Sequence, residues 1–123
     1  MSLPDICRTA IKTRTQYLSL IGYMARIDGQ LDDVEIILLQ KLTKRFEITD
    51  KFKDQVFEDK AFSESEIEKI FNELKSKNLE YSFILDLIAM AIADGVILEP
   101  ERMMLAQIAG LIGFPHEEFH NLI

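Results

Sequence analysis

The chain is poor in most of the features that announce a function. It has one cysteine, Cys7, which cannot close an internal disulfide. No basic start followed by an apolar run resembles a secretory leader, so a reducing, cytoplasmic setting is expected. Basic residues are in the minority, 14 against 21 acidic, which leaves a net charge of −7. A field of that sign repels a phosphate backbone, so nucleic acid is not an expected partner. No apolar run approaches the ~18 consecutive residues a membrane span needs. The most apolar stretch, 83–93, is short and broken by Asp86. Direct membrane insertion is therefore not expected. Period-two alternation is missing too, as are a glycine-rich phosphate loop and a serine-centred triad motif. Strands and the common nucleotide or hydrolase chemistries have no support.

What is present is helical. With 123 residues and 48% apolar content, the chain suits one domain, 1–123, with a single core. Apolar positions at Ile6, Ala10, Ile11, Leu18, Ile21 and Ala25 recur at three-and-four spacing, Pro4 suits a first turn, and Asp28-Gly29 marks a stop. A second helix opens at Asp32, where Glu35 three residues on makes an acidic capping box, and runs through Ile37, Leu38, Leu42 and Phe46. Thr49 is placed to cap a short helix carrying Phe52, Val56 and Phe57. Ser63 and Glu66 form another box before Ile67, Ile70, Phe71 and Leu74. The charged faces of these two helices read as solvated surface. An apolar helix then runs from about Leu79 to Asp94-Gly95. Pro100 sits in the first turn of the next, which carries Met104, Leu105, Ile108 and Leu111 and stops at Gly113. Pro115 opens a last short helix with Phe119 and Leu122. The expected fold is all-α, a compact domain of six to seven helices.

One pattern is written twice. Residues 24–35 read MARIDGQLDDVE and residues 90–101 read MAIADGVILEPE. Asp28 and Asp94 are 66 positions apart, as are Glu35 and Glu101, Leu39 and Leu105, and Tyr17 and Phe83. Each copy is the junction of a helical hairpin, so two pseudo-symmetric hairpins with a charged insert between them are expected.

The repeated carboxylates admit more than one reading. Asp before Gly is a common turn pair, and Glu in a first helical turn meets the positive end of the helix dipole. Asp28 and Asp94, however, close helices, where negative charge is unfavourable by some tenths of a kcal/mol. A local rule broken in both copies points towards a site. Either each Asp accepts hydrogen bonds from amides of its turn, or Asp and Glu converge on a cation with Asp32, Asp33 or Glu99 completing the shell. Such oxygen ligands suit Ca²⁺ or Mg²⁺ better than zinc.

The stretches MARIDGQLDDVEIILLQKL and LDLIAMAIADGVILEPERMMLAQIAGLIGF resemble the paired motifs of the TerB-like domain. That family is named for a bacterial tellurite-resistance protein, and the domain also precedes the J-domain in some membrane-anchored co-chaperones. The resemblance covers both hairpins; the charged middle matches only in being helical. It implies a compact all-helical fold with two similar halves, a cytoplasmic and mostly bacterial distribution, and no catalysis. It also implies an association with tellurite and stress resistance and a protein partner in a complex at the inner face of the membrane. Metal binding through the acidic motif residues, here Asp28, Glu35, Asp94 and Glu101, is implied as well. The chain departs from the pattern before the first Asp, where Ile27 replaces the alanine that the second copy keeps as Ala93.

A rival signal is HEEFH, His116 to His120, which satisfies the H-E-x-x-H pattern of a zinc hydrolase, with Glu117 as general base. Only Asn121, Leu122 and Ile123 follow it, so a downstream third ligand is missing. Cys7 has no evident activating neighbour and reads as a small apolar residue. Met90, Met103 and Met104 read as core, with an adaptable binding surface as the alternative.

Overall fold

The computed structural model describes residues 10–26, 31–58, 60–93, 99–111, 113, 115, 117 and 121. Among these it contains six helices and no strand: α1 Ile11–Ala25, α2 Asp33–Arg45, α3 Asp50–Phe57, α4 Glu64–Ser76, α5 Glu80–Ala91 and α6 Glu99–Leu111. The all-α expectation holds. The helix expected to open at Pro115 falls mostly outside the described residues.

The starts of α2 and α4 follow from local chemistry. Asp32 Oδ1 accepts the Glu35 N–H at 2.8 Å while Glu35 Oε1 accepts the Asp32 N–H at 3.0 Å. Ser63 and Glu66 make the same reciprocal pair, each bond 3.2 Å long. Both boxes satisfy amides that the first helical turn would otherwise leave unpaired. The second holds the Glu66 carboxyl below its usual range, through the backbone and then the hydroxyl of Ser63. Thr49 occupies the N-cap of α3 as expected, but its side chain makes no capping bond. Its carbonyl instead accepts the Phe52 and Lys53 amides.

Two expectations for α1 need correcting. The apolar spacing runs back through Ala10 to Ile6, yet Ala10 is extended, with ψ 148, and α1 begins only after it. The helix also closes at Ala25, with the Arg26 N–H on Gly22 O and Tyr23 O. The Asp28-Gly29 stop lies outside the described residues.

Two helices end without glycine. After α2, Glu47 takes φ 55 and the Ile48 N–H reaches back to Thr43 O at 3.1 Å. After α4, Asn78 takes φ 57 and the Leu79 N–H reaches Leu74 O at 2.8 Å. These six-to-one bonds close the last helical turn, and Ile48 and Leu79 each bury an apolar side chain beneath it. Gly113, with φ 80, turns the chain after α6 as expected.

The core is built on α1 and α5, which pack on each other. Tyr17, Leu18, Leu20 and Ile21 of α1 are fully enclosed, and so are Phe83 and Ile84 of α5. Tyr17 meets the Phe46 ring at 5.4 Å and the Phe83 ring at 5.2 Å, and Phe83 in turn meets Phe71 of α4 at 5.8 Å. This aromatic chain ties four helical segments together. On the far side of α1, Gly22 allows α3 to approach closely, since a Cβ there would lie 3.4 Å from Val56 O. Ser19 Oγ and Arg26 Nη1 fasten the same contact by donating to the carbonyls of Gln55 and Glu58.

Candidate functional site

The helices around the two copies of the motif correspond in order. Ala25 and Ala91, 66 positions apart, end α1 and α5, and each is followed by a further helix, α2 from Asp33 to Arg45 and α6 described over Glu99–Leu111. Burial follows the same offset: Leu18 and Ile84, Ile21 and Leu87, Met24 and Met90, Leu39 and Leu105, and Leu42 and Ile108 are all core residues. Met90 is thus core as expected, whereas Met103 is 59% exposed. The corners between the helices, 27–30 and 94–98, lie outside the described residues, and with them Asp28 and Asp94.

Glu35 and Glu101 are described, the first as the third residue of α2 and the second in the first described turn of α6. Their surroundings differ. Glu35 Oε1 is turned back onto the Asp32 amide, and the Asp32 side chain returns the bond. At the position matching Asp32 the second copy has Leu98, whose side chain cannot accept, so no reciprocal box is available to Glu101. Among the described residues no group of three or more His, Cys, Asp or Glu side chains comes together as a metal shell would require. The dipole at the start of α2 and α6 would itself oppose a cation, so the carboxylates alone supply the attraction there.

Elsewhere, two acidic residues of a surface cleft serve structure. An open cleft of about 660 Å³ is bordered by α1, the end of α3 and α4, and charges of both signs line it. Glu73, on its wall, accepts from Thr13 Oγ1 at 3.0 Å and lies 3.8 Å from Lys77 Nζ, while Glu66 serves its cap and lies 3.8 Å from Lys60 Nζ. Of the HEEFH segment only Glu117 is described, and it is exposed; His116 and His120 fall outside, as does Cys7.

One polar cluster went unnoticed in the sequence. Tyr17 Oη donates to Asp86 Oδ2 at 2.6 Å and lies 2.9 Å from Ser82 Oγ. Burial raises the Asp86 carboxyl above its usual range, although the Tyr17 bond and the charge of Arg45 pull the other way. The Tyr17 phenol is pushed up as well, by burial first and by Asp86 second. Asp86 had registered only as the break in an apolar run.

Comparison with known proteins supplies the family. The family model of the tellurite resistance protein TerB matches residues 14–122, which takes in all six helices apart from the first turn of α1. The chain belongs to the TerB family. No curated protein and no solved structure matches it significantly. The all-helical architecture of the described residues is consistent with TerB membership. No described helix of this TerB domain is long and apolar enough to cross a membrane.

Proposed function

We propose that this TerB domain is a non-enzymatic binding module of a bacterial tellurite- and stress-resistance system. It works in the cytoplasm, docking a protein partner in a complex at the inner face of the membrane. The contact is made through the two acidic corners, where Asp28 with Glu35 and Asp94 with Glu101 take a Ca²⁺ or Mg²⁺ ion.

The observation that carries this reading is the common placement of Glu35 and Glu101, 66 positions apart and each in the first described turn of the helix that follows its Asp-Gly corner. Core packing requires the buried positions of the repeat to agree, but it places no such demand on surface carboxylates. Glu35 serves a cap with Asp32. Glu101 has Leu98 at the position matching Asp32, and that side chain can offer no such reciprocal bond. The net charge of −7 favours a basic surface on the partner.

Calorimetric titration of chelator-treated protein tests the ion. Weak Ca²⁺ or Mg²⁺ binding is expected, lost in Asp28→Asn/Asp94→Asn and weakened more by Glu101→Gln than by Glu35→Gln. Silence with every ion would reduce the corners to structural turns. Stoichiometric zinc abolished by His116→Ala would replace the reading with a metalloenzyme at HEEFH.

A further inference from the structure

The repeat does not stop at the hairpins. Past α2, Glu47 takes φ 55 and its N–H bonds Lys44 O at 3.1 Å; past α6, Gly113 takes φ 80 and its N–H bonds Gly110 O at 3.2 Å. Glu47 and Gly113 are 66 positions apart, and so are Lys44 and Gly110. A left-handed turn with the same bond therefore follows both hairpins. It leads into α3, Asp50–Phe57, in the first copy and into residues 116–123 in the second. Exposure agrees: Lys51 and Gln55 of α3 are exposed, and their counterparts Glu117 and Asn121 are helical and exposed.

The apolar positions correspond as well. At a helical period the sequence sets Phe119, Leu122 and Ile123 opposite Glu117 and Asn121. Leu122 and Ile123 match Val56 and Phe57, while Phe52 has its nearest counterpart one position late, in Phe119. The seats for the two stretches differ. On α1, the Val56 carbonyl comes close to Gly22, where no side chain intervenes, and Ser19 Oγ and Arg26 Nη1 donate to Gln55 O at 3.2 Å and Glu58 O at 3.1 Å. On α5, the counterparts of Ser19, Gly22 and Arg26 are Leu85, Ile88 and Ile92, which have no side-chain donor. Leu85 and Ile92 are 39% and 44% exposed, with the buried Ile88 between them on the same helix face.

We propose that residues 116–123 are a releasable counterpart of α3, seated on the face of α5 that Leu85, Ile88 and Ile92 form. Leu122 stands over Ile88 as Val56 stands over Gly22. The Ile88 side chain keeps the segment farther from its helix than Gly22 keeps α3, and apolar contact alone holds it there. α3 is fixed by close approach and by hydrogen bonds, so the segment opens locally while α3 stays closed. Each opening bares an apolar stripe on α5.

Two measurements on the full chain test this. Methyl nuclear Overhauser spectra should connect Leu122 with Ile88 and Leu85. Native-state hydrogen exchange should find amides 120–123 opening about tenfold more often than amides 54–57. Leu85→Asp, at a side chain already exposed, should speed exchange at 120–123 several-fold further and leave 54–57 unchanged, which unspecific fraying would not do. Absence of the Leu122–Ile88 contact would overturn the proposal, as would exchange at 120–123 that is indifferent to Leu85→Asp. Contacts found only between differently labelled chains would overturn it too, by giving this face to a second copy. Should Leu85→Asp fail to fold, the wild-type contact decides alone.

Discussion

Tyr17 and Phe83, equivalent residues of the two motif copies, meet edge to face at the centre of the core, with ring centroids 5.2 Å apart and planes at 86°. Both are fully buried. Equivalent side chains thus form the contact between hairpins, and the additional hydroxyl on one of them is the atom that reaches Asp86.

Truncation at this contact should be severe. Phe83→Ala is expected to cost about 3–5 kcal/mol, since it empties the middle of the chain running from Phe46 through Tyr17 to Phe71. Met103→Ala, at a side chain 59% exposed, should stay within about 0.5 kcal/mol. Equilibrium urea unfolding measures both.

Leu39 and Leu105 are each fully buried at matching positions. Leu39→Ala and Leu105→Ala should each cost about 2–5 kcal/mol. A value under 1 kcal/mol for either would show that its hairpin does not share the common core.

Caps that bond and caps that merely occupy the position should separate cleanly. Asp32→Ala and Ser63→Ala each remove a side-chain acceptor and should cost about 1 kcal/mol. Thr49→Ala removes no such bond and should cost much less. Glu66 adds a pH signature. Its folded carboxyl lies below the unfolded value, so its support for α4 is present above about pH 4.3 and fades as pH falls. Thermal melts at pH 7 and pH 3 show both effects.

Glu47 holds a left-handed backbone with φ 55. A side chain pays about 1–2 kcal/mol there that glycine does not. Glu47→Gly should therefore stabilise the protein, by about 0.5–1 kcal/mol once the added freedom of the unfolded glycine is deducted. A loss of stability would mean that Glu47 makes a contact outweighing its strain.

The parts of this fold that were legible beforehand are those encoded within three or four residues. Asp32 with Glu35, Ser63 with Glu66, Pro100 and Gly113 each mark a helix boundary by local bonding or backbone restriction, and each stands where the sequence placed it. Glu47 and Asn78 were not legible as left-handed stops, because the signal sought for that role is glycine. The Tyr17–Asp86 bond spans 69 positions, and no periodic pattern registers a pair so far apart. Comparing the repeat with itself would have narrowed the search, since Tyr17 against Phe83 and Asp86 against Leu20 are among its polar departures. Of the candidate site, position was legible and occupancy was not. Glu35 and Glu101 hold equivalent positions of the repeat, and the first is tied into a cap.

The acidic corners are tested most directly by following backbone amide resonances of chelator-treated protein as Ca²⁺ and then Mg²⁺ are added. Saturable shifts confined to residues 26–35 and 92–101, and absent in Asp28→Asn/Asp94→Asn, are the predicted result. A spectrum unchanged by either ion, or shifts concentrated on 115–121, would contradict it.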